Sequence, residues 1–356
     1  MRHFHKLLLV LLAAVFLAGA APVTFPKVEP RPTFTFPRDH GAHPAFRTEW
    51  WYVTGWLKTQ DGRDLGVQVT FFRSRTGLGA ENPSRFAPQQ ILFAHAALSD
   101  PAIGHLVHDQ RISRQGFGLA EAAMTDTAIV LDDWSLNREA SGTFKTRVRS
   151  SDFDLDLTLD PTQPVLRQGL AGYSQKGPKP EQASYYFTLP HLRVTGTITQ
   201  GGKRVPVTGE AWLDREWSST LLDPRAVGWD WVGLNLDDGS ALTAFQVRDK
   251  SGAPVWAGGS LRTSTGQTTV LGPGDVAFAT RRTWHSPRTG TDYPVERSLT
   301  IKTPGGPRQW TLKPLMADSE LDSRRGGGPV YWEGAVRTEG GRGFLELTGY
   351  LTPLSL

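Results

Sequence analysis

One stretch in the middle of the chain, Glu210-Ala-Trp-Leu-Asp-Arg-Glu-Trp-Ser-Ser219, sets carboxylates beside indole rings, and Gly228-Trp-Asp-Trp-Val-Gly233 follows closely. Four tryptophans, three aspartates, two glutamates and two arginines fall between Glu210 and Trp231. That density of aromatic faces and acids is unusual for an ordinary solvated surface. Elementary chemistry gives the pairing two uses. A carboxyl in an apolar, aromatic setting keeps its proton to higher pH and can serve as an acid. An indole face can stabilise a developing cation. Asp214, between Trp212 and Trp217, combines both, with Glu216, Glu49 and Asp230 as substitutes. The opposing reading is structural. Buried carboxylates are usually paired, so Asp214 and Glu216 would meet Arg215, Arg47 or Arg248 and lock strands together. Residue types alone leave both readings open.

The same association recurs at both ends of the chain. Asp39-His40-Gly41-Ala42-His43 and Glu49-Trp50-Trp51-Tyr52 lie near the start, and Tyr331-Trp332-Glu333-Gly334 near the end. These segments are expected to converge in space. Trp50, Trp51, Tyr52, Tyr186, Trp212, Trp217, Trp229 and Trp231 are then candidate ligand contacts. The competing reading is that aromatics such as Trp50, Trp51, Trp56, Trp229 and Trp231 simply fill the core.

Other chemistries find little support. The nine histidines include no His-Glu-x-x-His pair, and there is no cysteine. A zinc site from His40, His43 and His95 is the only metal reading, and hydrogen-bonded histidines are the expectation. No Gly-x-Ser-x-Gly elbow occurs, and Gly172-Tyr-Ser-Gln-Lys176 lacks its spacing. Lys176 could meet an anionic head group but is expected as a solvated loop lysine. No glycine-rich loop opens a helix, so no nucleotide, and indeed no cofactor, is expected.

The first residues, Met1-Arg-His-Phe-His-Lys6, an apolar run from Leu7 to Leu17 and Ala18-Gly-Ala20, have the pattern of a secretory signal peptide cleaved after Ala20. The run is too short to span a bilayer comfortably, so no stable transmembrane segment is expected. Export to the periplasm or the medium follows. Disulfides are permitted there but not required, and about 335 residues can bury a core without them. The net charge of +4 includes Arg2 and Lys6, leaving the mature chain near +2, with basic residues scattered rather than striped. That argues against a nucleic-acid partner.

The elements that must position these residues read as strands. Residues 21–37 form a proline-spaced extended arm, expected to be poorly ordered at its start. The stretch Glu49–Lys58 alternates, with Trp50, Tyr52 and Trp56 on one face and Trp51, Val53 and Leu57 on the other. Asp61-Gly62 signals a hairpin, with Asp64–Arg73 as the return. Further strands are expected over Gln90–Leu98, Phe153–Leu159, Ser184–Leu189 and Leu192–Thr199, the last two parted by Pro190. The best helical stretch, Arg114–Met124, is weakened by its glycines. Residues Met316–Gly328 read as a mobile loop. Trp229–Leu236, Asp238-Gly239 and Ala241–Arg248 echo Trp51–Leu57, Asp61-Gly62 and Leu65–Arg73, which suggests two similar β-domains, residues 38–217 and 218–356. Hairpins on this scale fit closed barrels better than open sheets.

Taken in order, several motifs resemble the AttH/carotenoid 1,2-hydratase family. They are Phe36-Pro-Arg-Asp-His-Gly-Ala-His43, Glu49-Trp-Trp-Tyr52, Gly172-Tyr-Ser-Gln-Lys-Gly177, Ala183-Ser-Tyr-Tyr186, Trp212-Leu-Asp-Arg-Glu-Trp217, Gly228-Trp-Asp-Trp231, Tyr331-Trp-Glu-Gly334 and Glu346-Leu-Thr-Gly-Tyr350. The resemblance spans about residues 34–352. It implies an all-β fold of two tandem lipocalin-like antiparallel barrels. The family includes cofactor-free hydratases of acyclic carotenoids and many exported proteins encoded beside ABC-type transporter components, which are implied as partners. The aspartate proposed as proton donor in the hydratases matches Asp214. The hydratases carry Tyr and His close to it, whereas Trp212, Leu213, Arg215 and Glu216 stand here. The leading expectation is therefore an exported protein that binds a lipid or isoprenoid near the junction of its halves. Behind it stand a carotenoid or terpenoid 1,2-hydratase acting through Asp214, and a transporter-accessory module without ligand.

Overall fold

The computed structural model describes residues 23–354, apart from 79–81, 83, 85 and 221. The proposed signal peptide lies outside the described residues. Among the described residues, twenty-three strands form two antiparallel sheets. The first sheet holds β1 (Thr48–Thr59), β2 (Asp64–Arg75), β3 (Gln90–Ser99), β4 (Leu106–Arg114), β5 (Ala120–Ala122), β6 (Ala128–Leu131), β7 (Trp134–Arg138), β8 (Phe144–Arg149), β9 (Phe153–Pro161), β10 (Leu166–Arg167), β11 (Tyr173–Gln175), β12 (Ala183–Gln200) and β13 (Lys203–Thr220). The second holds β14 (Ala226–Leu236), β15 (Ala241–Asp249), β16 (Pro254–Arg262), β17 (Thr268–Leu271), β18 (Val276–His285), β19 (Asp292–Thr303), β20 (Gly306–Pro314), β21 (Glu320–Asp322), β22 (Val330–Thr338) and β23 (Gly341–Leu347).

Both sheets share one plan. The opening strand of each pairs with the next strand and with the closing one: β1 with β2 and β13, β14 with β15 and β23. The order then runs β4-β3-β2-β1-β13-β12-β9-β8-β7-β6-β5 in one and β17-β16-β15-β14-β23-β22-β20-β19-β18 in the other. This is an up-and-down meander wrapped on itself, the arrangement that hides sheet edges. In the first sheet β3 and β4 come round to β6, so the barrel is nearly closed. The opening hairpins also match in their turns. Gly62 and Gly239 both take positive φ, and their amides reach back to Thr59 and Leu236. The repeat read in the sequence is thus the same hairpin opening each sheet.

Alternation along the strands sorts the apolar residues into three layers. Trp51, Val53, Phe71, Trp134, Phe187, Leu213 and Trp217 fill the first barrel. Val232, Leu234, Tyr293, Leu299, Trp332 and Leu345 fill the second. Between them lies a third cluster of Tyr52, Trp56, Leu166, Trp212, Trp231, Phe245 and Phe344. The expected split of β1 into a Trp50–Tyr52–Trp56 face and a Trp51–Val53–Leu57 face is what separates the first layer from the third. The sheets come so close that a Cβ at Gly66 would lie 2.9 Å from the Ala335 side chain.

Each barrel contains one carboxylate neutralised by two arginines. In the first, Glu49 pairs with Arg73 and Arg215, while the His43 amide donates to both carboxylate oxygens at 2.9 and 3.0 Å. The Arg215 guanidinium lies over the Trp51 ring, 3.8 Å from its centroid. In the second, Asp230 meets Arg248 Nε at 2.8 Å and Arg297 Nη1 at 3.1 Å, and accepts from Gln246 Nε2 and the Tyr350 hydroxyl. Glu49 and Asp230 are therefore the structural ion pairs of the two barrels.

Four expectations change. Arg114–Met124 is no helix: β4 ends there, Gly116, Phe117 and Gly118 turn the chain at positive φ, and β5 follows. The two strands parted by Pro190 are one strand, β12, carrying a bulge at Pro190-His191. A bulge is where a strand tolerates proline, and His191 there takes φ 53°. Met316–Gly328 is no mobile loop, because Met316 and Leu321 pack on Ala97 and Leu106, and Gln110 bonds both Asp322 O and the Gly326 amide. The arm is anchored, with Val28 buried and Phe34 and Phe36 set edge-on to Phe187.

The Glu49→Gln substitution should cost about 3–5 kcal/mol, because it leaves two buried arginines facing a neutral partner. Its partners hold Glu49 below the usual carboxylate range against the opposing cost of burial. The wild-type advantage should therefore be full above pH about 4.5 and vanish as acid protonates Glu49. Urea unfolding of both proteins at pH 7 and in acid measures this, and a difference under about 1 kcal/mol at pH 7 would remove the pair from its structural role.

Candidate active site at the junction

β13 decides which residues meet. Its side chains alternate, so Leu213, Arg215 and Trp217 enter the first barrel and Trp212, Asp214 and Glu216 face the second sheet. Register brings β1 and β12 alongside: Tyr52 and Thr188 stand opposite Asp214, and Trp50 and Tyr186 opposite Glu216. From the second sheet, β14 contributes Trp229 and Trp231, β15 Phe245, β22 Tyr331 and Glu333, and β23 Glu346. The three Trp–carboxylate segments of the sequence do converge, through β1, β13 and β22.

Asp214 is 3% exposed and lies within ion-pair distance of no basic side chain among the described residues. Its Oδ2 accepts from the Tyr186 hydroxyl at 2.7 Å. Its Oδ1 accepts from Thr188 Oγ1 at 2.5 Å and from Trp212 Nε1 at 2.8 Å. Burial pushes its pKa up to about 7; Thr188, Tyr186 and Trp212 oppose that through their hydrogen bonds, and nearby Glu216 adds to it. Trp231 Nε1 donates to Tyr186 at 3.2 Å, so the second sheet reaches Asp214 through the tyrosine. Gly233 leaves room for this aromatic wall, since a Cβ there would lie 2.6 Å from the Trp231 ring.

Glu216 finds a different partner from the arginines expected. Lys176 Nζ is 3.2 Å from Glu216 Oε1 and 3.0 Å from Ser174 Oγ, and Ser184 Oγ also donates to Glu216. The ammonium lies over the rings of Tyr186 and Phe245, 4.6 and 4.2 Å from their centroids. Lys176 is thus a buried member of the site, not a solvated loop lysine. The arginine lock expected for Asp214 and Glu216 is absent because Arg215 and Arg248 point into the barrels, toward Glu49 and Asp230.

Two further carboxyls were not recognised in the sequence as part of the site. Glu333 and Glu346 are paired across β22 and β23. Glu346 accepts from Trp229 Nε1 at 3.0 Å, and burial raises its pKa to about 7. Burial and the neighbouring Glu346 hold Glu333 well above the carboxylate range. Tyr52, Tyr331 and Gln68 surround Glu333 closely enough to oppose that shift, yet both its oxygens and the Tyr52 hydroxyl lack an aligned hydrogen-bond partner. Trp50, Trp229 and Glu346 are half-buried, at the edge of the junction cluster. The Trp-Glu pair of Tyr331-Trp-Glu-Gly334 was the available signal, but alternation sends Trp332 into the second barrel and only Glu333 to the junction.

The remaining candidates lie elsewhere. Trp51, Trp217 and Glu49 are inside the first barrel, where Trp217 stacks on His43 with centroids 3.8 Å apart. The histidines do not meet. His40 packs among Phe36, Phe144 and Phe187, His43 bonds Asp39, and His95 Nδ1 lies 2.9 Å from the Tyr331 hydroxyl. Among the described residues, no cluster of three potential metal ligands occurs. No helix among them is long and apolar enough to cross a membrane.

Two lipocalin-like antiparallel sheets in tandem, with an acid-bearing aromatic seam, define the class. The AttH-like family matches residues 27–350, and the chain belongs to it. An AttH-type protein of Nitrosomonas europaea is 50% identical, with a TM-score of 0.85 over 92% of this chain and 100% of that one. Kievitone hydratase from Nectria haematococca shares the fold at 16% identity, with a TM-score of 0.68 over 93% of this chain and 97% of its own. CghA, solved with Sch210972, shares it more distantly, at 13% identity and a TM-score of 0.53 over 87% and 89% of the two chains. A search among curated proteins gave no match.

The raised pKa of Asp214 makes a thermodynamic prediction. A carboxyl that binds its proton more tightly when folded loses stabilisation as pH rises from its unfolded value, near 3.8, to its folded one, about 7. Wild-type stability measured against Asp214→Asn should therefore decline across that window and level off above it. A difference that instead grew with pH would mean an ionised, paired Asp214.

Proposed function

We propose that this AttH-like protein is a cofactor-free hydratase of an apolar unsaturated substrate of the isoprenoid class, bound at the junction of its two sheets, with Asp214 as general acid. The carrying observation is a carboxyl buried among Trp212, Tyr186 and Thr188 with no basic partner, so that it holds a transferable proton near neutral pH. Such a group is costly to bury and is explained by use more readily than by stability. The hydratase among the structural relatives supports the reading by analogy of fold, with its own substrate left to it.

Each residue then has a role. Asp214 gives its proton to one alkene carbon, and the π-electron pair forms the new C–H bond. The cation left on the neighbouring carbon faces the Trp212 and Trp231 rings, which stabilise it. Water attacks that carbon and loses a proton to Glu346, whose pKa of about 7 suits a base. The product is an alcohol one water heavier than the alkene. Proton return from Glu346 to Asp214 through solvent closes the cycle. Trp50, Tyr52 and Trp229 would hold the apolar part of the substrate. The leader-like residues 1–20 support a place of work outside the cytoplasm.

Incubation of the mature protein with an acyclic carotenoid, followed by mass spectrometry of the extracted pigment, tests the proposal. The expected result is a product heavier by one water, formed at a rate that falls as pH rises above about 7. Asp214→Asn should lower that rate by roughly 10²–10⁴-fold while the protein stays folded. Pigment bound unchanged by the wild type would replace catalysis with carriage, the binding function expected first from the sequence. Full activity in Asp214→Asn would remove Asp214 from the chemistry.

A further inference from the structure

A cavity lies apart from the junction acids. It is a cleft of about 780 Å³ between the segment running from Gln163 to Ala171 and the β16–β17 hairpin. Clefts of this volume are the size of small-ligand sites. Its chemistry differs from that of the junction. None of the side chains lining it is acidic, and two arginines, Arg167 and Arg262, open onto it.

Arg262 is 7% exposed. Its guanidinium donates to Pro164 O at 2.7 Å and to Gln163 Oε1 at 2.5 Å, and no carboxylate pairs with it among the described residues. Burial pulls its pKa down with no anion to offset the shift. Buried charges are normally paired, so a guanidinium held by neutral acceptors alone leaves its positive potential to the cavity. Arg167, opposite, is exposed, with its guanidinium over the Phe34 ring, 5.6 Å from the centroid. Stacking on the docked arm leaves its donor edges unspent. The rest of the wall includes Val165, Leu166, Val270 and the partly exposed ring of Phe36. Two uncompensated guanidinium groups beside an apolar wall match one kind of ligand.

We propose that this cleft binds an anionic amphiphile, a carboxylate or phosphate head carrying a single aliphatic chain, with the head between Arg167 and Arg262 and the chain along Val165 and Val270. The site does not depend on the hydration chemistry at Asp214, because no residue serves both. Leu166 is the nearest approach of the two, lining the cleft while belonging to the apolar cluster of the junction.

Calorimetric titration of the mature protein with decanoate, decyl phosphate, decanol and inorganic phosphate tests this. Decanoate and decyl phosphate should bind, decanol about tenfold or more weakly, and inorganic phosphate not measurably. Arg167→Gln, at an exposed position that leaves the fold intact, should weaken the two anionic amphiphiles about fivefold or more and leave decanol unchanged. Arg262→Gln should do the same if it folds, and Asp214→Asn should have no effect. Equal binding of decanol and decanoate would overturn the proposal. So would inorganic phosphate binding as tightly as decyl phosphate, indifference to Arg167→Gln, or no binding of either anionic amphiphile.

Discussion

Side-chain alternation along β13 is the constraint on which the rest of the molecule depends. One strand forms the wall between the interior of the first barrel and the junction, and its residues are assigned to one side or the other by parity alone. Arg215 goes inward to Glu49, and Asp214 and Glu216 go outward to the second sheet. A slip of one residue would put the arginine into the junction and the acids into the barrel. Register is therefore held hard, by β1 on one side and by β12, with its bulge at Pro190-His191, on the other. His191 also ties the seam, lying 2.6 Å from Glu210 Oε1 and 2.9 Å from Ser240 O.

The result is a separation of two kinds of buried carboxyl. Glu49 and Asp230 each meet two arginines, and their charge is repaid where it sits. Across the junction Asp214, Glu216, Glu333 and Glu346 share a single ammonium, that of Lys176, which is bonded to Glu216. With so little positive charge, burial and like-charged neighbours raise the pKa of the rest. Structural ion pairs inside the barrels and proton-holding acids between them follow from the same strands. The difference lies only in which face each residue occupies.

Closeness of the sheets makes this arrangement possible. The seam is fastened by Trp56 Nε1 to Gly343 O, Gln168 Nε2 to Thr243 Oγ1, Gly169 N to Ser260 Oγ and the Arg337–Asp64 ion pair. Those contacts bring Trp231 within reach of Tyr186 and set Glu333 facing Tyr52. Site and seam are thus one structure, and the indoles serve both the packing reading and the ligand reading offered by the sequence.

Much of this architecture is legible in the order of the residues. Alternation in Trp50–Leu57 and in Phe153–Leu159 specified strands with the correct faces, because a period of two is a local property of extended chain. Asp-Gly pairs marked the matching turns, and the repeat of Trp51–Arg73 in Trp229–Arg248 announced that the halves begin alike. The density of Trp and carboxylate from Glu210 to Trp231 marked the neighbourhood of the site. Which acid is compensated depends instead on how the strands pack. Asp214 and Glu49 read alike in sequence, each within two residues of a tryptophan and of an arginine. Their difference depends on residues distant in the chain: Arg73 and Arg215 for Glu49, Tyr186 and Thr188 for Asp214. Lys176 reads as a loop lysine until β11 and β12 lay it against Glu216, and Glu333 and Glu346 become neighbours only through the pairing of β22 with β23. Charge compensation is a property of space rather than of spacing, and it is set when the two sheets close on each other.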